Sequence, residues 1–200
     1  PSTKKGPPIL VGLFSFGLSH GIRQSREAFV AHAMLEVVVK TVVEIPTRLG
    51  FRYPVFCGND CQAFLDAVWQ PQWRQAVIIG DSNTGPRFSE QLAQALSNRT
   101  TQQLKLTFPA GEESKTRQTK ADLEDAMLQA GIGRSACVLA VGGGITLDLV
   151  GFLASTYMRG IPALYIATTL LAQVDASVGG KTGVNTQMGK NLIGTFSPPR

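Results

Sequence analysis

The stretch Ala136-Cys-Val-Leu-Ala-Val-Gly-Gly-Gly-Ile-Thr-Leu-Asp148 decides the fold. Ala136 to Val141 is an uninterrupted apolar run, which suits a central strand covered on both faces. Gly142-Gly-Gly144 then turns the chain, and Ile145 to Thr156 continues as a helix. The same alternation extends to both sides. Upstream, Gln75 to Ile79 reads as a short buried strand ending at Gly80-Asp-Ser-Asn83, followed by a helix from Pro86 to Leu96 and a strand from Gln103 to Phe108. Between Ser114 and Ala130 the apolar residues Leu123, Ala126, Met127 and Ala130 recur at helical spacing, and Gly131 is a natural stop. Downstream, Pro162 to Ala167 reads as a strand, and Thr168 starts another helix. Nearer the N-terminus, the β-branched run Glu36 to Ile45 predicts a strand, and Tyr53 to Cys57 a second one that Pro54 places at an edge. Strands alternating with helices predict an α/β, Rossmann-like, mostly parallel sheet flanked by helices. Ligands of such sheets bind beyond the carboxyl ends of the strands. That rule singles out Asp81 to Asn83, Gly142 to Asp148, and Thr168-Thr169.

Composition narrows the function. With 200 residues, 44% of them apolar and 16% charged, the chain can bury a core, which excludes wholesale disorder. The formal net charge is +5, and residues 1–33 hold four basic residues and one acid. No basic run is interleaved with aromatics, so nucleic-acid binding is a poor reading; small anionic ligands fit the mild positive balance. The histidines are His20 and His32, so residues 33–200 can build neither a Ser-His-Asp triad nor a His-ligated metal site alone. Cys57, Cys61 and Cys137 are odd in number and lack zinc-ribbon spacing, which predicts reduced thiols. No apolar run approaches the ~20 residues that span a bilayer. Ile9 to Leu18 resembles the core of a signal peptide, but Ala33 lies too far downstream for a cleavage site. Residues 1–33 are expected to be an N-terminal extension, disordered or targeting. The expected setting is cytoplasmic, or a plastid if that extension is a transit peptide.

Two phosphate-loop patterns fail. Gly142-x-Gly144-x-x-Leu147 misses the dinucleotide fingerprint at its last small residue, and the P-loop pattern before Lys181-Thr182 has Asp175 where a glycine belongs. Glycines between a strand and a helix still let a diphosphate approach the helix N-terminus. Alone, they are equally explained as a tight turn.

The glycines belong to an ordered series: Phe108-Pro-Ala-Gly-Glu-Glu-Ser-Lys115, Val141 to Asp148, Thr156-Tyr-Met-Arg-Gly160, Thr168-Thr-Leu-Leu-Ala-Gln-Val-Asp-Ala-Ser-Val-Gly-Gly-Lys-Thr-Gly-Val-Asn185, and Gly189-Lys-Asn-Leu-Ile-Gly194. From about Tyr53 to Pro198 this series resembles 3-dehydroquinate synthase, a lyase of the shikimate pathway. The resemblance implies a cyclase that uses NAD catalytically on a phosphorylated sugar acid, 3-deoxy-D-arabino-heptulosonate 7-phosphate. Its C5 hydroxyl is transiently oxidised, phosphate is eliminated, the hydride returns, and an intramolecular aldol step closes the ring. A divalent metal, zinc or cobalt, polarises that hydroxyl.

Residue by residue, the resemblance places Asp81 and Asn83 at the adenosine part of NAD, with Glu112 and Lys115 on the NAD side. Gly143, Gly144 and Ile145 match the diphosphate loop, with Asp148 one turn into its helix. Thr168 and Thr169 match a pair near the nicotinamide, and Lys190 a further NAD contact. Arg159, Asp175, Lys181 and Asn191 match substrate-binding positions, Lys181 on flexible backbone facing phosphate and Arg159 reaching across the interface of a homodimer. Leu147 and Ala167 depart from the family's usual glycine and proline. The resemblance divides the chain into the extension 1–33, an NAD-binding α/β domain over 34–186, and the start of a helical domain at 187–200. That second domain carries the metal ligands, so none is expected in this chain, and the chain alone is expected to be inactive. The alternatives are another sugar phosphate cyclase, of the 2-epi-5-epi-valiolone or 2-deoxy-scyllo-inosose synthase kind, and a non-catalytic dinucleotide-binding fragment. A metal-dependent glycerol or alcohol dehydrogenase shares the glycine loop but lacks the Gln173 to Lys181 block.

Overall fold

A computed structural model describes residues 11–13, 40–46, 52–58 and 60–197. Its main sheet has seven strands: β1 (Val11–Leu13), β2 (Lys40–Pro46), β3 (Arg52–Cys57), β4 (Gln75–Asp81), β5 (Gln102–Phe108), β6 (Ala136–Gly142) and β7 (Ala163–Ala167). Their order is β2-β3-β1-β7-β6-β4-β5. Every pairing is parallel except that of β2 with β3. The helices are α1 (Cys61–Val68), α2 (Gly85–Leu96), α3 (Arg117–Gln129) and α4 (Gly144–Thr156). The Rossmann-like α/β class expected from the alternation is the one observed.

Strand periodicity explains the two cores. Successive side chains of β4 and β6 point to opposite faces. Val77, Ile79, Val138 and Ala140 join Leu123 and Met127 of α3 and Leu149, Val150 and Leu153 of α4 on one face. Ala76, Ile78, Leu139 and Val141 join Phe64 and Leu65 of α1 and Phe88, Leu92 and Leu96 of α2 on the other. Every residue of β6 is buried, so its uninterrupted apolar run is required. Because α2 and α3 cover opposite faces, the chain reverses direction between β4 and β6. A crevice opens at the carboxyl ends of strands at such a point.

Several expectations need correcting. β3 is not an edge strand; β2 lies outside it. Pro54 pairs with Glu44 of β2, and among the described residues β1 meets β3 at Val55, Phe56 and Cys57. Val11–Leu13, inside the expected extension, pairs with β3 and β7. The rest of residues 1–33, with both histidines, lies outside the described residues. The helix expected from Thr168 is short: Leu170 and Leu171 are α-helical and run into a π-helical turn, Ala172–Ala176, which leads into an antiparallel hairpin of β8 (Lys181–Thr186) and β9 (Gly189–Phe196). The expected boundary between residues 186 and 187 therefore falls within the hairpin. Among the described residues no helix is long and apolar enough to cross a membrane.

Candidate active site

The crevice at the ends of β4 and β6 is a cleft of about 1040 Å³, at the upper end of the range for small-molecule sites. Its floor is the start of α4. Gly142 has no room for a side chain, since an added Cβ would collide with Thr146. Strand and helix thus pack closely at this step, and Leu147 is fully buried in the core instead. The helix begins at Gly143 with no side-chain cap. Its first amides have no intrahelical partner, and the positive end of the helix dipole faces the cleft.

Asp81 ends β4 and organises this floor. Its Oδ1 accepts from the N–H of Asn83 (2.9 Å), the N–H of Thr84 (2.9 Å) and the hydroxyl of Thr84 (3.0 Å). Its Oδ2 accepts from the Thr146 hydroxyl of α4 at 3.1 Å. The same Thr84 hydroxyl lies 2.9 Å from the Val141 carbonyl, so its one proton is shared between the two acceptors and ties the β4 loop to β6. The carboxylate thus fixes the turn that carries Asn83, while Oδ2 keeps capacity for one more donor.

Opposite this floor stands the β8–β9 hairpin, held by a buried cation. Lys115 is 4% exposed. Its Nζ donates to Asp148 of α4 at 2.5 Å and to Asn191 Oδ1 of β9 at 2.6 Å. Burial pushes the Asp148 carboxyl up, and Lys115 opposes that shift. Glu112, one turn before Lys115, accepts from the Asn185 amide at 2.6 Å and lies 3.7 Å from Lys190 Nζ. The Asn185 amide, burial notwithstanding, leads the groups that hold the Glu112 carboxyl below its ordinary range.

Every candidate site residue except Arg159 and Thr168 lines the cleft. Lys181 is not on flexible backbone; it opens β8 and pairs with Phe196. Thr168 lies just beneath, its N–H bonded to the Gly142 carbonyl at 3.0 Å. Its hydroxyl is buried and has no hydrogen-bond partner among the described residues. Arg159 is exposed, in a turn after α4 where Met158 (φ +50°) and Arg159 (φ +70°) are both left-handed. Sequence reasoning missed Thr84, Leu171, Thr182, Leu192 and Phe196 as lining residues. The last three ride on the hairpin, which carries no strong local signal. The three cysteines are free, and burial pushes their thiols up, so none is primed as a nucleophile.

Comparison with known proteins agrees with this geometry. A solved 2-deoxy-scyllo-inosose synthase, complexed with carbaglucose-6-phosphate, NAD+ and Co2+, matches with a TM-score of 0.66 and 31% identity, over 70% of this chain and 39% of that one. The 2-epi-5-epi-valiolone synthase of Streptomyces hygroscopicus subsp. jinggangensis, with NAD+ and Zn2+ bound, matches with a TM-score of 0.58 and 37% identity, over 68% and 37%. The solved structures this chain is similar to are therefore sugar phosphate cyclases. The 3-dehydroquinate synthase of Symbiobacterium thermophilum is 42% identical over 151 residues, 74% of this chain. That of Latilactobacillus sakei is 47% identical over 150 residues. Each match spans 42% of the relative's length. The family model for the 3-dehydroquinate synthase N-terminal region matches residues 105–200.

Proposed function

We propose that this chain is the dinucleotide-binding part of a 3-dehydroquinate synthase, a lyase that takes 3-deoxy-D-arabino-heptulosonate 7-phosphate to 3-dehydroquinate and phosphate. The observation that carries this reading is the cleft itself: one wall is an uncapped helix start behind a side-chain-free loop, the other a hairpin bearing cations. The residues present fit NAD. The uncapped α4 amides open into the cleft beside Gly143 and Gly144, where no side chain intervenes, and suit a diphosphate. Asp81 Oδ2 and Asn83 suit a ribose diol. NAD held there would supply the hydride acceptor and donor for a transient oxidation of the substrate.

The chain's own residues orient and stabilise. Lys181 places an ammonium where the phosphate leaves, and Asp175 accepts from sugar hydroxyls. Asn191 spends its Oδ1 on Lys115 and keeps its Nδ2 donor for substrate. Among the described residues no group of three His, Cys, Asp or Glu is placed to hold a metal. They do not fit the divalent ion, and the isolated chain is expected to bind without turning over. Arg159, strained and remote from its own cleft, is assigned to the cleft of a second copy in a homodimer. Three unpaired thiols suit a reducing, cytoplasmic setting.

Gly143→Val tests the reading. Gly143 has φ −80° and ψ −173°, open to any residue, and an added Cβ meets nothing closer than Thr169 Cγ2 at 3.4 Å. The variant should fold normally yet fill the diphosphate seat. We expect NAD affinity, measured by calorimetry, to fall by at least about tenfold, some 1.4 kcal/mol. Unchanged affinity would remove the dinucleotide from this loop.

A further inference from the structure

Asn185 makes three bonds that no ligand role explains. Its amide Nδ2 donates to Glu112 Oε1 at 2.6 Å, and its Oδ1 accepts from the Asn191 N–H at 3.0 Å. Its own N–H donates to the Lys115 carbonyl at 2.8 Å, next to an isolated parallel bridge between Asn185 and Thr116. The same side chain therefore touches the 3-10 turn of Glu112–Ser114 and the left-handed residue Asn191 (φ +57°). An amide is the side chain that can donate to a carboxylate and accept from an N–H at once. β8 and β9 pair with each other and with no strand of the main sheet. Their position over the cleft thus rests on the packing of buried Val184 against the α4 core, on the Ser155–Thr195 hydroxyl pair at 2.8 Å, and on links such as those of Asn185.

We propose that Asn185 is a positioning residue, a clasp that sets the hairpin bearing Lys181, Lys190 and Asn191 against the Glu112–Lys115 segment. Its consequence for binding rests on the dinucleotide reading; the clasp itself does not. With the clasp closed, the Glu112 carboxylate and the Asn191 backbone are fixed relative to each other before any ligand arrives. Binding then costs less ordering.

The test exchanges donor and acceptor. Asn185→Asp sets a carboxylate against Glu112, with Lys190 and Lys115 near and Asp148 and Asp175 further round the cleft. Backbone amide exchange of Asn191, as a protection factor, reports the clasp in the 200-residue chain. At about pH 8 we expect the single variant to lose about tenfold or more of that protection. At about pH 5 one proton shared by the two carboxyls should restore much of it. Adding Glu112→Gln should restore it at pH 8 as well, because the amide introduced on the turn can donate to the carboxylate introduced on the hairpin. Wild-type protection in the single variant would overturn the proposal, and so would failure of the double variant to recover. If the single variant unfolds, with Val138 and Leu139 also losing protection, recovery of fold and protection on adding Glu112→Gln still supports the clasp, and its absence overturns it. These outcomes with no NAD binding by the wild-type chain would count against the dinucleotide reading alone.

Discussion

Lys115→Met should lower stability by about 3 kcal/mol, because removing one partner of a buried ion pair leaves the other charge uncompensated. The Lys115 side chain is 5% exposed and that of Asp148 21%, so water reaches the pair poorly. Methionine keeps the length and the apolar stem but can satisfy neither Asp148 nor the Asn191 side-chain Oδ1. For a domain of this size the expected fall in melting temperature is about 6–12 °C at neutral pH. The pH dependence has a definite sign. Burial already raises the Asp148 carboxyl, and losing the cation raises it further. The folded variant then binds a proton that the unfolded chain does not, so its deficit shrinks as pH falls into the carboxylate range. Thermal melts between pH 7 and pH 4 check this. A deficit that is absent, or that does not change with pH, would show that Lys115 holds nothing.

The second large effect is on turnover. In a protein carrying this segment at the relatives' full length, Lys181→Met should reduce kcat/KM by roughly 10²-fold or more. A preorganised charge aimed at a leaving phosphate acts in the transition state more than in the ground state. Lys181 is suited to this because strand pairing with Phe196 fixes its backbone while its side chain stays exposed to the cleft. Phosphate release with the phosphorylated heptulosonate as substrate is the assay. Wild-type kcat/KM in the variant would make Lys181 a solvated strand end.

Local signals and long-range ones were unequally legible. β6, its glycines and α4 could be read because an apolar run, a turn and a helical period follow one another directly along the chain. The stop after α3 was equally plain, since Gly131 takes φ +70°. α1 was overlooked although it announces itself: Asp60 accepts from the N–H groups of Gln62 and Ala63, a cap just before an apolar turn. The hairpin has no such signature. β9 is exposed along nearly its whole length and is interrupted by Gly194, so no alternation marks it. What places it are bonds from Asn185, Lys115 and Ser155, the last two far from β9 in sequence. The site residues were legible from the resemblance. The links among them were not: Asp81 serves Thr84 and Thr146, and Lys115 serves Asp148 and Asn191, rather than facing solvent to await a ligand.

The claim that this cleft is a dinucleotide seat is tested most directly by titrating NAD into the chain and following backbone amide shifts. The account predicts saturable changes concentrated at Gly143, Gly144, Ile145 and Thr169, with Asn83 and Glu112 at the adenosine end. Saturable shifts confined to any other surface, or none at millimolar NAD, would contradict it.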